Sequence, residues 1–127
     1  MKIRIKGNSL RLRLTQSEVT QFGESGVVSD SLHFPGSDSM QLTYTIERGA
    51  SESINVDFAG NEIKLSVPEQ LANNWTSTEQ VGFEQKLPLN DGEQLLVLVE
   101  KDFQCLKPRA NENEVDNFPN PLIGENC

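Results

Sequence analysis

Lys2, Arg4, Lys6, Arg11 and Arg13 are five of the eleven basic residues in a 127-residue chain whose formal charge is -8. Clustered side chains of this kind recognise oxyanions. A guanidinium offers a planar fork that meets carboxylate or phosphate through two parallel hydrogen bonds, and an ammonium offers a compact point charge. The cations alternate with apolar residues in KIRIK (2–6) and LRLRL (10–14), so each set shares one face of an extended chain. A hairpin turning at Gly7-Asn8 places Arg4 opposite Arg11 and Lys2 opposite Arg13; a turn at Asn8-Ser9 sets Lys6 against Arg11 and Arg4 against Arg13. Either way cations face cations, which destabilises a ladder by roughly a few tenths of a kcal/mol or more per pair. Compensation comes from the chain's own nineteen carboxylates, with Glu47, Glu62 and Glu100 on expected strands, or from a bound phosphate or polyphosphate. Internal pairing is the commoner arrangement.

Three other places could carry chemistry. Glu100 and Asp102 in EKDFQC point to the same face of an extended chain and form a divalent-cation seat only if a further oxygen ligand joins them. A polar strand end is the commoner meaning, so no metal and no cofactor is expected. His33, the single histidine, titrates near neutrality, but neither a Ser-His-Asp spacing nor H-E-x-x-H surrounds it. Cys105 lacks an identified base and reads as a small buried hydrophobe; Cys105 and Cys127 belong to no C-x-x-C pair and are expected to be thiols. In VDNFPNP, Phe118 between Asn117 and Pro119 either docks on another chain or packs back on its own domain.

The elements that must position these residues follow from periodicity. Thr15 and Glu18 match a capping box, flanked by Leu14 and Val19 as a hydrophobic staple, and predict a short helix near 16–22. VVSDSLHF predicts a strand, PGSDS a loop, and MQLTYTIE, SINVDF and EIKLSV three successive antiparallel strands, the last two joined at Gly60-Asn61. VPEQLANNW predicts a second helix with Pro68 at its first position and Leu71 and Trp75 on one face. QLLVLVEKDF, apolar at successive positions, predicts a central strand buried on both sides. In the hairpin, Ile3, Ile5, Leu10 and Leu12 are expected in the core. No internal repeat is apparent beyond a generic likeness between hairpins.

The expected fold is α+β: a twisted antiparallel sheet or partly closed β-barrel of about six to eight strands with two short helices. One domain is expected over 1–106. The proline- and asparagine-rich 107–127 is expected to be an extended or disordered tail. The longest aliphatic run, LLVLV at 95–99, is far short of the roughly 20 residues a membrane span requires, and no signal-peptide pattern opens the chain. A cytoplasmic protein without membrane partners is the expectation. The sequence pI of about 4.6 opposes sequence-independent nucleic-acid binding, which needs a net basic surface.

MKIRIKGNSLRLRLTQSEV, QVGFE, LLVLVEKDFQCL and DNFPNP together resemble a family of small uncharacterised bacterial proteins, a domain of unknown function, across nearly the whole chain. That resemblance implies a bacterial cytoplasmic protein and carries over no catalytic residue. The alternating charged strands are also similar to those of bacterial triphosphate tunnel enzymes. Their signature E-x-E-x-K stands here as KIRIK, without either glutamate that would hold metal. The function expected is a non-catalytic domain binding a protein partner or a small anionic ligand. The alternative is a phosphate-ester or triphosphate hydrolase clamping its substrate with the basic hairpin.

Overall fold

The computed structural model describes residues 1–103 and 116–119. Cys105, Cys127 and most of the expected tail lie outside the described residues. In chain order the elements are β1 (Lys2–Lys6), β2 (Ser9–Leu14), α1 (Gln16–Ser25), β3 (Val27–His33), β4 (Gln41–Gly49), β5 (Asn55–Ala59), β6 (Glu62–Pro68), α2 (Glu69–Ser77), β7 (Gly82–Pro88) and β8 (Gln94–Lys101). The α+β class, eight strands and two helices agree with the sequence. The strands do not close a barrel: they divide into two four-stranded sheets, β1-β2-β8-β7 and β3-β4-β6-β5.

Each sheet is two antiparallel hairpins joined by a parallel central pairing, β2 with β8 and β4 with β6. The expectation of three successive antiparallel strands therefore fails at one link: β5 and β6 are antiparallel, whereas β4 meets β6 in parallel. Period-two alternation reports which face is buried and is silent on which neighbour a strand takes or in what direction.

The pairing registers reveal a repeat that the sequence reading missed. A shift of 53 residues (Lys2 to Asn55) carries every β1–β2 partner pair onto a β5–β6 partner pair, and the β2–β8 ladder onto β6–β4. The same shift relates β4 to β8, while β3 and β7 stand 55 apart. The chain is thus two ββαββ halves that exchange hairpins across a pseudo-twofold axis, so each sheet holds one hairpin from each half. Few identities survive within the strands and their turns: Gly7 and Gly60, Asn8 and Asn61, Leu12 and Leu65, Gln41 and Gln94, Leu42 and Leu95, Glu47 and Glu100, and, 55 apart, Leu32 and Leu87. Identities that sparse do not stand out against the generic likeness of hairpins.

The core lies between the sheets and helices. Leu12, Leu14, Val97 and Val99 face Ile46, Leu65 and Val67, and α1 contributes Val19 and Phe22 where α2 contributes the counterparts Ala72 and Trp75. Phe22 and Trp75 meet edge to face at 6.2 Å, so equivalent residues of the two halves touch near the axis. Each such side chain contributes about 1.5–3 kcal/mol by leaving water. The hairpin tips do not join this core. Ile5 is 61% exposed and its counterpart Phe58 66%, against the expectation that Ile5 is buried; Ile3 is half-buried. Both tips overhang the smaller volume that the helices can cover.

The β1–β2 turn is at Gly7-Asn8, with Ile5 partnering Leu10. Only Gly7 takes the left-handed backbone, φ 55°, while at the equivalent turn both Gly60 and Asn61 do. Helix α1 runs to Ser25, three residues past the expected end, and stops at Gly26, φ 79°. Glu18 accepts from the Thr15 backbone N–H at 2.9 Å, as the capping-box spacing anticipated. Pro68 ends β6 and precedes α2 rather than opening it. Strand β8 is central, buried on the Val97 and Val99 face and half-buried on the Leu96 and Leu98 face.

Candidate functional site

Residues aligned across a sheet point to the same side, so the registers of β1, β2, β8 and β7 define the face turned away from the core. One row reads Lys2, Arg13, Glu100, Gly82; the next Arg4, Arg11, Leu98, Glu84; the third Lys6, Ser9, Leu96, Lys86. The five expected cations thus lie together, and the tertiary structure adds Lys86 from the far edge strand. A Cβ at Gly82 would sit 2.3 Å from the Val99 carbonyl oxygen and 3.1 Å from Glu100 Cγ, so the first row ends without a side chain.

Two of the cations have anionic partners. Arg11 Nε lies 3.0 Å from Glu100 Oε1, and Lys2 Nζ 3.1 Å from Asp102 Oδ2. Among the described residues neither Glu100 Oε1 nor Asp102 Oδ2 accepts a hydrogen bond, so these contacts are ion pairs. Asp102 is buried, so its pair is the less screened of the two. Glu100 and Asp102 are therefore engaged by the basic face itself. Among the described residues no group of three or more His, Cys, Asp or Glu is placed to hold a metal ion. Arg4, Lys6 and Arg13 make no ion pair among the described residues, and Arg4 and Lys6 are exposed.

The pseudo-twofold supplies an internal comparison. The counterparts of Arg4 and Arg11 are Asp57 and Lys64, opposite charges on facing positions, and those of Lys2, Lys6 and Arg13 are Asn55, Ala59 and Ser66. The same scaffold thus folds without opposed cations. Its polar face uses hydroxyl contacts, Ser29 with Thr45 and Ser31 with Thr43, each at 2.9 Å, and Thr45 donating to Glu62 at 2.7 Å, with Lys64 pairing Glu62 at 3.9 Å.

Cavities of about 390 Å³ and 380 Å³ open away from the basic face and are lined by none of its cations. His33 ends β3 exposed and away from it. Phe118 packs on its own domain. Its N–H donates to the Asp102 carbonyl at 2.7 Å and its ring lies 5.5 Å from that of Phe103. Asn117 is buried beside it, and Asp116 holds the first turn of α1, its carbonyl accepting from Gln16 N–H at 3.0 Å and its carboxylate from the Ser17 hydroxyl at 2.5 Å.

Sequence reasoning passed over Lys101. It follows Val97 and Val99 on the core face of β8, a placement the period of two could have flagged, and it is 6% exposed. Burial holds its ammonium below the usual lysine range, opposed by the charge of Glu79. No helix among the described residues is long and apolar enough to cross a membrane.

A family model described as a family of unknown function, DUF7009, matches residues 1–122, in line with the resemblance carried by the opening hairpin and the DNFPNP motif. Neither a curated protein nor a solved structure matches the chain.

Proposed function

Because the chain belongs to the DUF7009 family, whose description assigns no activity, we propose from its geometry that it is a non-catalytic binding module. Its β1-β2-β8-β7 face docks an acidic, partly apolar segment of a partner protein. The observation that carries this reading is the opposition of Arg4 to Arg11 where the other half of the same scaffold sets Asp57 against Lys64. A feature that costs stability and that the fold does not require is accounted for by a ligand that relieves it.

The spacing suits an extended peptide. Cations two residues apart on a strand stand about 6.6–6.8 Å apart, the separation of alternate side chains on a second extended chain. Leu96 and Leu98, half-buried between the cations and Glu84, offer apolar contact in the middle of a charged rim. The hydrolase alternative would ask Glu100 and Asp102 to hold a metal, and both are occupied by Arg11 and Lys2.

A short peptide of alternating Glu and Leu, titrated into isotopically labelled protein, is expected to shift backbone resonances of β1, β2 and β8 and to weaken with added salt. Linear polyphosphate is the second arm. Tighter binding of polyphosphate than of the peptide would replace the protein partner with a phosphate ligand. No saturable shift with either, or shifts unaffected by Arg4→Gln and Arg13→Gln, would end the reading.

A further inference from the structure

Arg48 and Lys101 are counterparts under the 53-residue shift, each following the core positions of its central strand beside Val67 or Leu14. Arg48 has two acceptors at its head group: its Nη1 donates to the Gly23 carbonyl at 3.0 Å and to Asn73 Oδ1 at 3.2 Å. Gly26 closes over the guanidinium, where a Cβ would lie 3.2 Å from Nη2. Lys101 Nζ donates to one acceptor among the described residues, the Thr78 carbonyl at 2.7 Å. Its other near neighbours are π faces, Phe118 at 5.4 Å and Trp75 at 6.0 Å from the ring centres. An ammonium has three donors, so a buried cation here keeps hydrogen-bonding capacity unspent.

Two features without counterpart in the first half make room in front of it. The link from α1 to β3 is Gly26 alone, whereas 78–81 join α2 to β7. The segment 116–119 returns alongside Phe103. Together they enclose the cavity of about 380 Å³ lined by Thr78, Glu79, Val81, Lys101, Phe103, Phe118 and Pro119. That volume is within the range of sites for small molecules, and the mixture of apolar wall and one convergent charge is typical of them.

We propose that this cavity binds a small organic acid, with an aromatic or short aliphatic body against Phe103, Phe118 and Pro119 and its carboxylate on Lys101 Nζ. The carboxylate gives the ammonium a charge-assisted acceptor in a poorly screened place. The two π faces, which already favour the cation, leave the carboxylate side open. Glu79 is the one carboxylate of the lining and is exposed. It repels the ligand's charge and weakens the site without closing it. The site is independent of the basic sheet face and stands whether or not that face binds a partner.

Phenylacetate is the probe and phenylacetamide its uncharged counterpart of nearly equal shape. With the whole chain, phenylacetate is expected to shift the Val81 methyl and Trp75 indole resonances saturably, and the amide to bind at least about tenfold more weakly. Glu79→Gln should tighten phenylacetate roughly two- to fivefold, the effect of removing one exposed charge. Lys101→Met should abolish binding. If Lys101→Met does not fold, the acid-to-amide ratio and the Glu79→Gln shift decide alone. Equal binding of acid and amide, no saturable shift, or phenylacetate binding unaltered by Glu79→Gln would each overturn the proposal.

Discussion

Arg4 and Arg11 are direct partners across the β1–β2 ladder, yet among the described residues only Arg11 pairs with a carboxylate, Glu100 at 3.0 Å. The two arginines of one cross-strand pair are therefore in different electrostatic situations, and substituting them should have opposite effects. Arg11→Gln removes a half-exposed ion pair and is expected to destabilise by about 0–1 kcal/mol. Arg4→Gln removes only repulsion, so stability without ligand should hold or rise. Urea titrations of both variants in phosphate-free buffer test this; a lower midpoint for Arg4→Gln than for Arg11→Gln would contradict it.

Leu12 is buried in the centre of the core while Ile5 overhangs it, although both belong to the apolar face of the same hairpin. Leu12→Ala should cost about 2–5 kcal/mol. Ile5→Ala should stay within about 0.5 kcal/mol of wild type. Comparable losses for both would mean that something covers the hairpin tip.

The segment 116–119 is tied to the body chiefly by polar contacts and one aromatic ring. A chain ending at Leu106 should still unfold cooperatively, because the core cluster lies within the first 103 residues and Phe118 only packs against it. Stability should fall by about 1–3 kcal/mol, the worth of one partly buried aromatic side chain and its neighbours. Loss of a cooperative transition would make the segment part of the folding unit.

Asp116 has its carboxyl held below the usual aspartate value of 3.8 by the hydrogen bonds from Ser17 and Thr15. A lowered folded-state pKa means that the contribution is complete above 3.8 and is lost as pH falls through the folded value. Below about pH 3.8 the contact between 116 and α1 should weaken, seen as faster amide exchange at Gln16 and Ser17. In Asp116→Asn that acid-dependent step should vanish; its persistence would place the titrating group elsewhere.

Above neutrality two groups act in opposite directions. Burial lowers the Lys101 pKa from 10.5 and raises that of Tyr44 from 10.0, the latter aided by Asp30 and Glu18. As pH climbs through the Lys101 folded value towards 10.5, the unfolded chain holds the proton that the folded one has released, so stability rises. Above 10.0 the unfolded chain loses the Tyr44 proton first, and stability falls. Lys101→Met should abolish the rising arm and keep the fall. An unchanged alkaline profile in denaturant titrations would show that Lys101 is not the group responsible.

Local order set much of this molecule. Alternation at 2–6 and 10–14 fixed a hairpin with its cations on one side but left two turns open, and the structure takes Gly7-Asn8, which opposes Arg4 to Arg11. The Thr15 and Glu18 spacing fixed the start of α1, because a cap is made within a few residues of itself. Tertiary structure decided which hairpins share a sheet, since parallel β2–β8 and β4–β6 contacts join segments far apart in the chain and leave no local trace. It decided that Ile5 is outside, because burial depends on what another element can cover rather than on a residue's own pattern. It brought Glu100 to Arg11 and Asp102 to Lys2. It also left Lys101 facing a cavity where Arg48 donates to Gly23 and Asn73, a difference made by a longer link and a segment returning from position 116.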